Sequence, residues 1–160
     1  MTSVGWWACH HRTIAVRSRP PADGRLPQRR RGRCRRRDEW ATAAEDSHRP
    51  PDSADAVLRL ISRDPEALIL AVDNDMVVGS IIVGWDGWRC HLYRLAVAST
   101  HRRQGIGREL VARAEARFTA YGGTRADAMV LDDNSQAHRV WSTAGYAPQP
   151  EWSRWVKPLP

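Results

Sequence analysis

Lysine is almost absent: Lys157 stands alone against 24 arginines. That skew matches a GC-rich coding sequence and carries no chemistry of its own. Cysteine is scarce as well. Cys9, Cys34 and Cys90 are too few and too scattered for a disulfide framework, so free thiols in the cytoplasm are expected. Cys9-His10-His11 has no second ligand pair at zinc-site spacing, so no metal is expected. Long apolar runs are also missing. The longest, Ala67 to Val72, falls far short of the roughly 20 residues a membrane helix needs. The N-terminus lacks the apolar stretch of a secretory signal, and no membrane partner is expected.

What remains is enough for one soluble domain. The chain has 160 residues, 42% apolar and 27% charged, which suffices for a core without staples. The net charge of +7 is unevenly placed. Arg17 to Arg37 holds ten arginines against Asp23, a local +9, so the rest of the chain is −2. Basic proteins suggest nucleic-acid partners. This run, however, has no interleaved aromatics and no motif of a known reader, so a nucleic-acid partner is not the expectation.

Residues 1–12 give no clear signal. Thr13 to Arg17 reads as a short strand before the Pro20-Pro21-Ala22-Asp23 turn. Residues 24–37 offer only Leu26 and Cys34 as apolar residues besides prolines and glycines, so the run cannot bury a face and alone should be disordered. The chain divides at this point: 1–37 is an atypical arginine-rich segment and 38–160 the folded domain. A helix is expected from Arg37 to Glu45, and a second, capped by Ser53, runs to Arg63 with Val57, Leu58 and Ile61 inward. Strands follow at Ala67–Asp73, Met76–Gly84 and Cys90–Val97, joined by turns at Asn74-Asp75 and Trp85-Asp86-Gly87-Trp88. Ile106, Leu110, Ala114 and Phe118 mark an amphipathic helix over Gly105–Tyr121, stopped by Gly122-Gly123. Ala126–Leu131 is a strand, Asn134–Ala144 a helix and Ser153–Lys157 a last strand. The pattern predicts a mixed α/β (α+β) fold.

The informative piece is HLYRLAV-ASTH-RRQGIG-RELV, a strand, a loop and a glycine-rich helix start. Gly105 and Gly107 let the backbone approach a bound group. The first-turn N–H groups and the helix dipole attract an anion such as a pyrophosphate. Arg102, Arg103 and Arg108 add charge-assisted donors.

This arrangement resembles the GNAT superfamily of N-acetyltransferases. Its signature, Arg/Gln-x-x-Gly-x-Gly/Ala, stands here as Arg102-Arg103-Gln104-Gly105-Ile106-Gly107, with Leu95-Ala96-Val97 upstream. The later NSQAHRVWSTAGY matches the family's Asn-x-x-Ala…Gly-Phe/Tyr segment at Asn134, Ala137, Gly145 and Tyr146. The resemblance covers Ala67 to Lys157 well, Trp40 to Asp64 loosely and the first 37 residues hardly at all. Family members carry an amphipathic first helix where residues 24–37 lie. That run therefore reads as displaced from its native reading frame, which the nucleotide sequence decides.

The resemblance implies a mostly antiparallel sheet flanked by helices. It implies acetyl-CoA as co-substrate, without a metal, and a small-molecule or peptide amine as acceptor. Leu95, Ala96 and Val97 would sit at a β-bulge that aims the thioester. Arg102 to Gly107 would hold the pyrophosphate, and Asn134 would contact the pantetheine arm. Some members place a histidine or glutamate base on the strand that ends in Leu-Ala-Val, and serotonin N-acetyltransferases are similar there. His91 is the corresponding candidate, expected on one face with Tyr93, Leu95 and Val97. Many members protonate the leaving thiolate with a tyrosine seven residues after the asparagine. That position is Trp141, whose indole cannot give up a proton, so Trp141 would pack on the cofactor arm or the core. Tyr93 or a water would then serve. Asp86 and Trp88 are candidate acceptor contacts. An acyl-CoA-binding module with weak or no catalysis is the alternative, and a homodimer stays open.

Overall fold

The computed structural model describes residues 5–9, 12–17 and 53–159, the first two stretches by backbone alone apart from the Val16 side chain. The expected helix over Arg37–Glu45 and the expectations for residues 24–37 lie outside the described residues.

Six strands form one sheet in chain order. They are β1 (Gly5–Cys9), β2 (Arg12–Arg17), β3 (Leu68–Asp73), β4 (Met76–Trp85), β5 (Cys90–Val97) and β6 (Ala126–Ala128). The first five run antiparallel, and β6 lies parallel to β5. Leu68 to Ala71 are all buried, as a strand covered on both faces requires, which explains an unbroken apolar run in place of alternation. The β3–β4 turn places Asn74 and Asp75 at φ 46° and 61°, the positive values that a two-residue mirror-image turn demands.

Among the described residues three helices accompany the sheet: α1 (Ala54–Arg63), α2 (Ile106–Ala120) and α3 (Ser135–Thr143). Ile106, Leu110, Val111, Ala114 and Phe118 of α2 are buried, and the helix packs on β3, β4 and β5. Each fully buried Leu, Val or Phe contributes roughly 1.5–3 kcal/mol. Arg117 of α2 grips both carboxylate oxygens of Asp64 at 2.6 Å, which anchors the segment leaving α1.

Four features differ from expectation. β1 was not expected; it pairs with β2 from Gly5↔Val16 to Cys9↔Arg12. In α1, Leu58 points outward at 46% exposure, while Val57, Leu60 and Ile61 are half-buried, the i, i+3, i+4 set of one helix face. Ser153–Lys157 forms no strand: Trp155 and Val156 are 93% and 72% exposed, and no ladder partner meets them among the described residues. The strand at Ala126 is also shorter than expected, ending at Ala128.

The chain divides into two units, residues 1–129 and 130–160. The second contains α3, capped by Asn134, whose Oδ1 accepts from the Ala137 N–H at 2.9 Å. Among the described residues no helix is long and apolar enough to cross a membrane.

Candidate functional site

The glycine-rich segment is held from behind. A turn at Ser99–His101 follows β5, and His101 is buried there with its Nε2 3.2 Å from Asp73 Oδ2 and its Nδ1 2.8 Å from Thr100 Oγ1. Arg102 Nε donates to the Val97 carbonyl at 3.2 Å, and Gln104 Nε2 to the Thr100 carbonyl at 3.3 Å. Arg103 takes φ 59°. Gly105 caps α2 at φ 79°, a left-handed conformation that suits glycine. Its carbonyl accepts the first intrahelical bond, from the Glu109 N–H at 3.0 Å. The N–H groups of Ile106, Gly107 and Arg108 precede that bond and point off the helix end.

Gly107 differs from Gly105. It needs no positive φ, and a Cβ built on it would meet only Val97 Cγ2, at 3.9 Å. The fold itself therefore sets no demand for glycine there. A group bound from outside at the helix end would set one, and the dipole and free N–H groups suit an anion.

The bulge of β5 falls at Arg94–Leu95. Tyr93 pairs with Ile82 and Ala96 with Ser80, so two residues face Ile81 alone, and Arg94 adopts φ 55°. Ala96 and Val97 are already back in the ladder. The bulge overturns the expected face sharing, because one extra residue reverses the alternation. His91 and Tyr93 share a face with Gly84, Ile82 and Ala96. Val97 pairs with Gly79 and faces α2, its Cγ2 near Gly107.

His91 is half-buried, and its Nδ1 lies 2.5 Å from Asp127 Oδ1. The two residues are register partners on β5 and β6. The Tyr93 ring is tilted 40° to that of His91 with centroids 5.9 Å apart. Sequence reasoning missed Asp127 because the register of a parallel pair follows a long crossover and leaves no local signal.

At the β4–β5 hairpin, Asp86 Oδ1 accepts from the Trp88 and Arg89 N–H groups at 2.8 and 2.6 Å. The Arg89 and then the Trp88 N–H hold its carboxyl below the usual carboxylate range. Asp86 thus shapes the turn, and Trp88 is 81% exposed with the Arg89 guanidinium over its ring. Beside them a cleft of about 350 Å³ is lined by Trp88, Arg89, Cys90, Thr124, Arg125 and Asp127. Burial, followed by the nearby Asp127 charge, pushes the Cys90 thiol up, away from thiolate chemistry.

In the second unit Trp141 is half-buried and meets the Tyr146 ring edge-on, centroids 5.0 Å apart. The Tyr146 N–H returns to the Trp141 carbonyl at 3.0 Å. Trp141 therefore has a packing partner within its own unit.

A 91-residue stretch is 32% identical to an acetyltransferase of Yersinia pestis (strain Pestoides F), covering 57% of this chain and 64% of that protein, so less than two thirds of the relative is matched. The fold is similar to that of Ard1 from Thermoplasma volcanium, with a TM-score of 0.63 and 19% identity over 84% of this chain and 82% of that one. It is also similar to AAC(6')-Iy in complex with the bisubstrate analog CoA-S-monomethyl-acetylneamine, with a TM-score of 0.64 and 13% identity over 91% of this chain and 99% of that one. Residues 34–146, most of the chain, match a single family, and on that span the chain belongs to the acetyltransferase (GNAT) family.

Proposed function

We propose that this protein transfers the acetyl group of acetyl-CoA to an amine of a small molecule or peptide by direct attack. The observation that carries this reading is Gly107, a glycine at an open helix end that nothing among the described residues requires. The N–H groups of Ile106, Gly107 and Arg108 would receive the pyrophosphate, with Arg102, Arg103 and Arg108 as charged donors. The bulge frees ladder groups at Arg94 and Leu95, just before Ala96 and Val97, and these would orient the thioester carbonyl. Asn134 and Trp141 are assigned to the pantetheine arm by family resemblance.

The thioester supplies an activated acetyl group. The amine nitrogen attacks its carbonyl carbon, the C–S bond breaks and the thiolate leaves. An alkylammonium has a pKa near 10.4, so a proton must be lost first. His91 Nε2 takes that proton, Tyr93 or a water protonates the thiolate, and the second proton that the nitrogen sheds as the amide forms replaces the one given to sulfur. Holding both reactants in place supplies much of the rate. Trp88 and the hairpin around Asp86 would meet the acceptor.

The test is thiol release from acetyl-CoA across a panel of amines. Release that depends on the amine is expected, and His91→Ala should lower kcat by about 10²-fold or more. Binding of acetyl-CoA without amine-dependent release would make the protein an acyl-CoA-binding module.

Trp141→Tyr should raise turnover if a hydroxyl at that position reaches the sulfur, since a missing general acid commonly costs about 10²–10⁴-fold. Some stability should be lost with the indole's packing on Tyr146. Unchanged turnover in a well-folded variant would mean that the position is structural.

A further inference from the structure

We infer that Asp127 is the positioning residue for His91: its carboxylate holds the imidazole in the Nδ1–H form and leaves Nε2 as the proton acceptor. The inference rests on His91 acting as the base in the transfer reaction proposed above.

The pairing is built into the sheet. Parallel register sets Asp127 directly beside His91, and the Nδ1 to Oδ1 distance is 2.5 Å. An ionised carboxylate can only accept, so the shared proton belongs to Nδ1. A neutral imidazole with its proton on Nδ1 carries its lone pair on Nε2. On the other side of His91 the register partner is Gly84, which brings no side chain to compete for the ring. A Cβ at Gly84 would press on the Tyr93 ring, so the glycine keeps room for that ring beside His91.

Three described side chains stand near the ring. Tyr93 on β5 lies 5.9 Å away, Asp127 on β6 is bonded, and Asp86 at the end of β4 is near enough to feel the ring's charge. Two other described histidines are engaged elsewhere: His101 binds Asp73, and His138 Nε2 lies 3.1 Å from the Leu131 carbonyl.

The proton balance is simple. Nε2 accepts the proton of the attacking amine, and the ring becomes an imidazolium. Its Nδ1–H keeps its bond to Asp127, whose negative charge offsets the new positive one. The proton then passes to solvent, which reaches the ring because the His91 side chain is 26% exposed. Asp127 does not take the proton. It also lines the cleft beside Arg89 and Arg125, so the carboxylate itself borders open space. With its own side chain 42% exposed, Asp127 is partly screened by water, and its effect should be smaller than that of a buried partner.

Two measurements on the full chain test this. Long-range proton–nitrogen spectra of the histidine rings report the tautomer without any need for activity, and the pH dependence of kcat reports the base. In the parent, neutral His91 should be the Nδ1–H form. In Asp127→Asn the population should move toward Nε2–H, because the amide can donate to Nδ1. The kcat should fall about 10- to 100-fold, with its pH midpoint displaced and KM for acetyl-CoA unchanged. Asp127→Glu should restore part of both. An Asp127→Asn protein with the parent's tautomer overturns the inference, whether or not its kcat has fallen. Should His91→Ala turn over like the parent, the transfer reading has the wrong base, and the ring spectra still decide whether Asp127 sets the tautomer.

Discussion

Gly107→Glu should abolish the thermal protection that acetyl-CoA gives the parent while leaving the unliganded protein at least as stable. The two halves of this expectation have separate causes. In the free protein the new Cβ has ordinary room, with only Val97 Cγ2 near at 3.9 Å. Glutamate is a better helix former than glycine by roughly 1 kcal/mol. Its carboxylate also sits in the first turn of α2, where the dipole favours negative charge. In the complex the same carboxylate occupies the space proposed for the pyrophosphate and repels it. Ligand at 100 times its Kd stabilises by about 2.7 kcal/mol, which at this chain length is a melting shift of roughly 5–10 °C. The parent should show that shift and the variant none. Gly107→Ala is the control: it should fold normally and keep part of the shift. If the glutamate variant binds acetyl-CoA as tightly as the parent, the anion site is not at this helix end.

What could be read from the residues alone follows from where the information lies. Asn74-Asp75 and Asp86-Gly87 are local signals, and both hairpin turns stand where they were expected. The four-residue spacing from Ile106 to Phe118 is local too, and α2 differs from its expected span by one residue at each end. The reading failed wherever a partner decides. Gly5–Cys9 becomes a strand through β2, with no pattern of its own. In α1 only the surroundings could decide that Leu60 and not Leu58 turns inward. The bulge at Arg94–Leu95 reverses which residues share the face of His91, and a strand's alternation cannot reveal where its ladder slips. Asp127 came beside His91 only through the pairing of β6 with β5. The glycine-rich helix start was legible because it is a short contiguous segment, whereas the histidine–aspartate pair was not, because its members lie 36 residues apart.

His101→Ala should cost both stability and cofactor affinity, because the glycine-rich segment proposed to hold the pyrophosphate hangs on a buried pair. His101 and Asp73 are 8% and 5% exposed, and their side chains join the turn after β5 to the end of β3. Removing the imidazole takes from Asp73 Oδ2 its contact with His101 and leaves a cavity, while Asp73 Oδ1 keeps its 3.0 Å bond from Asn74 Nδ2. Breaking such a buried pair and opening a cavity together cost about 3 kcal/mol. At this length that is a fall of roughly 6–12 °C in Tm. The loop also loses the Nδ1 bond that fixes Thr100, whose carbonyl receives the Gln104 side chain. Arg102 and Gln104 should then hold the start of α2 less firmly, and the acetyl-CoA Kd should rise well below the melting range. His91 lies on β5 before the bulge, away from this pair, so the pH dependence of kcat should keep its parent midpoint. A variant that melts within a degree of the parent would show that the pair carries no stability. One that melts lower yet binds acetyl-CoA as the parent does would show that the glycine-rich segment holds its shape without the histidine beneath it.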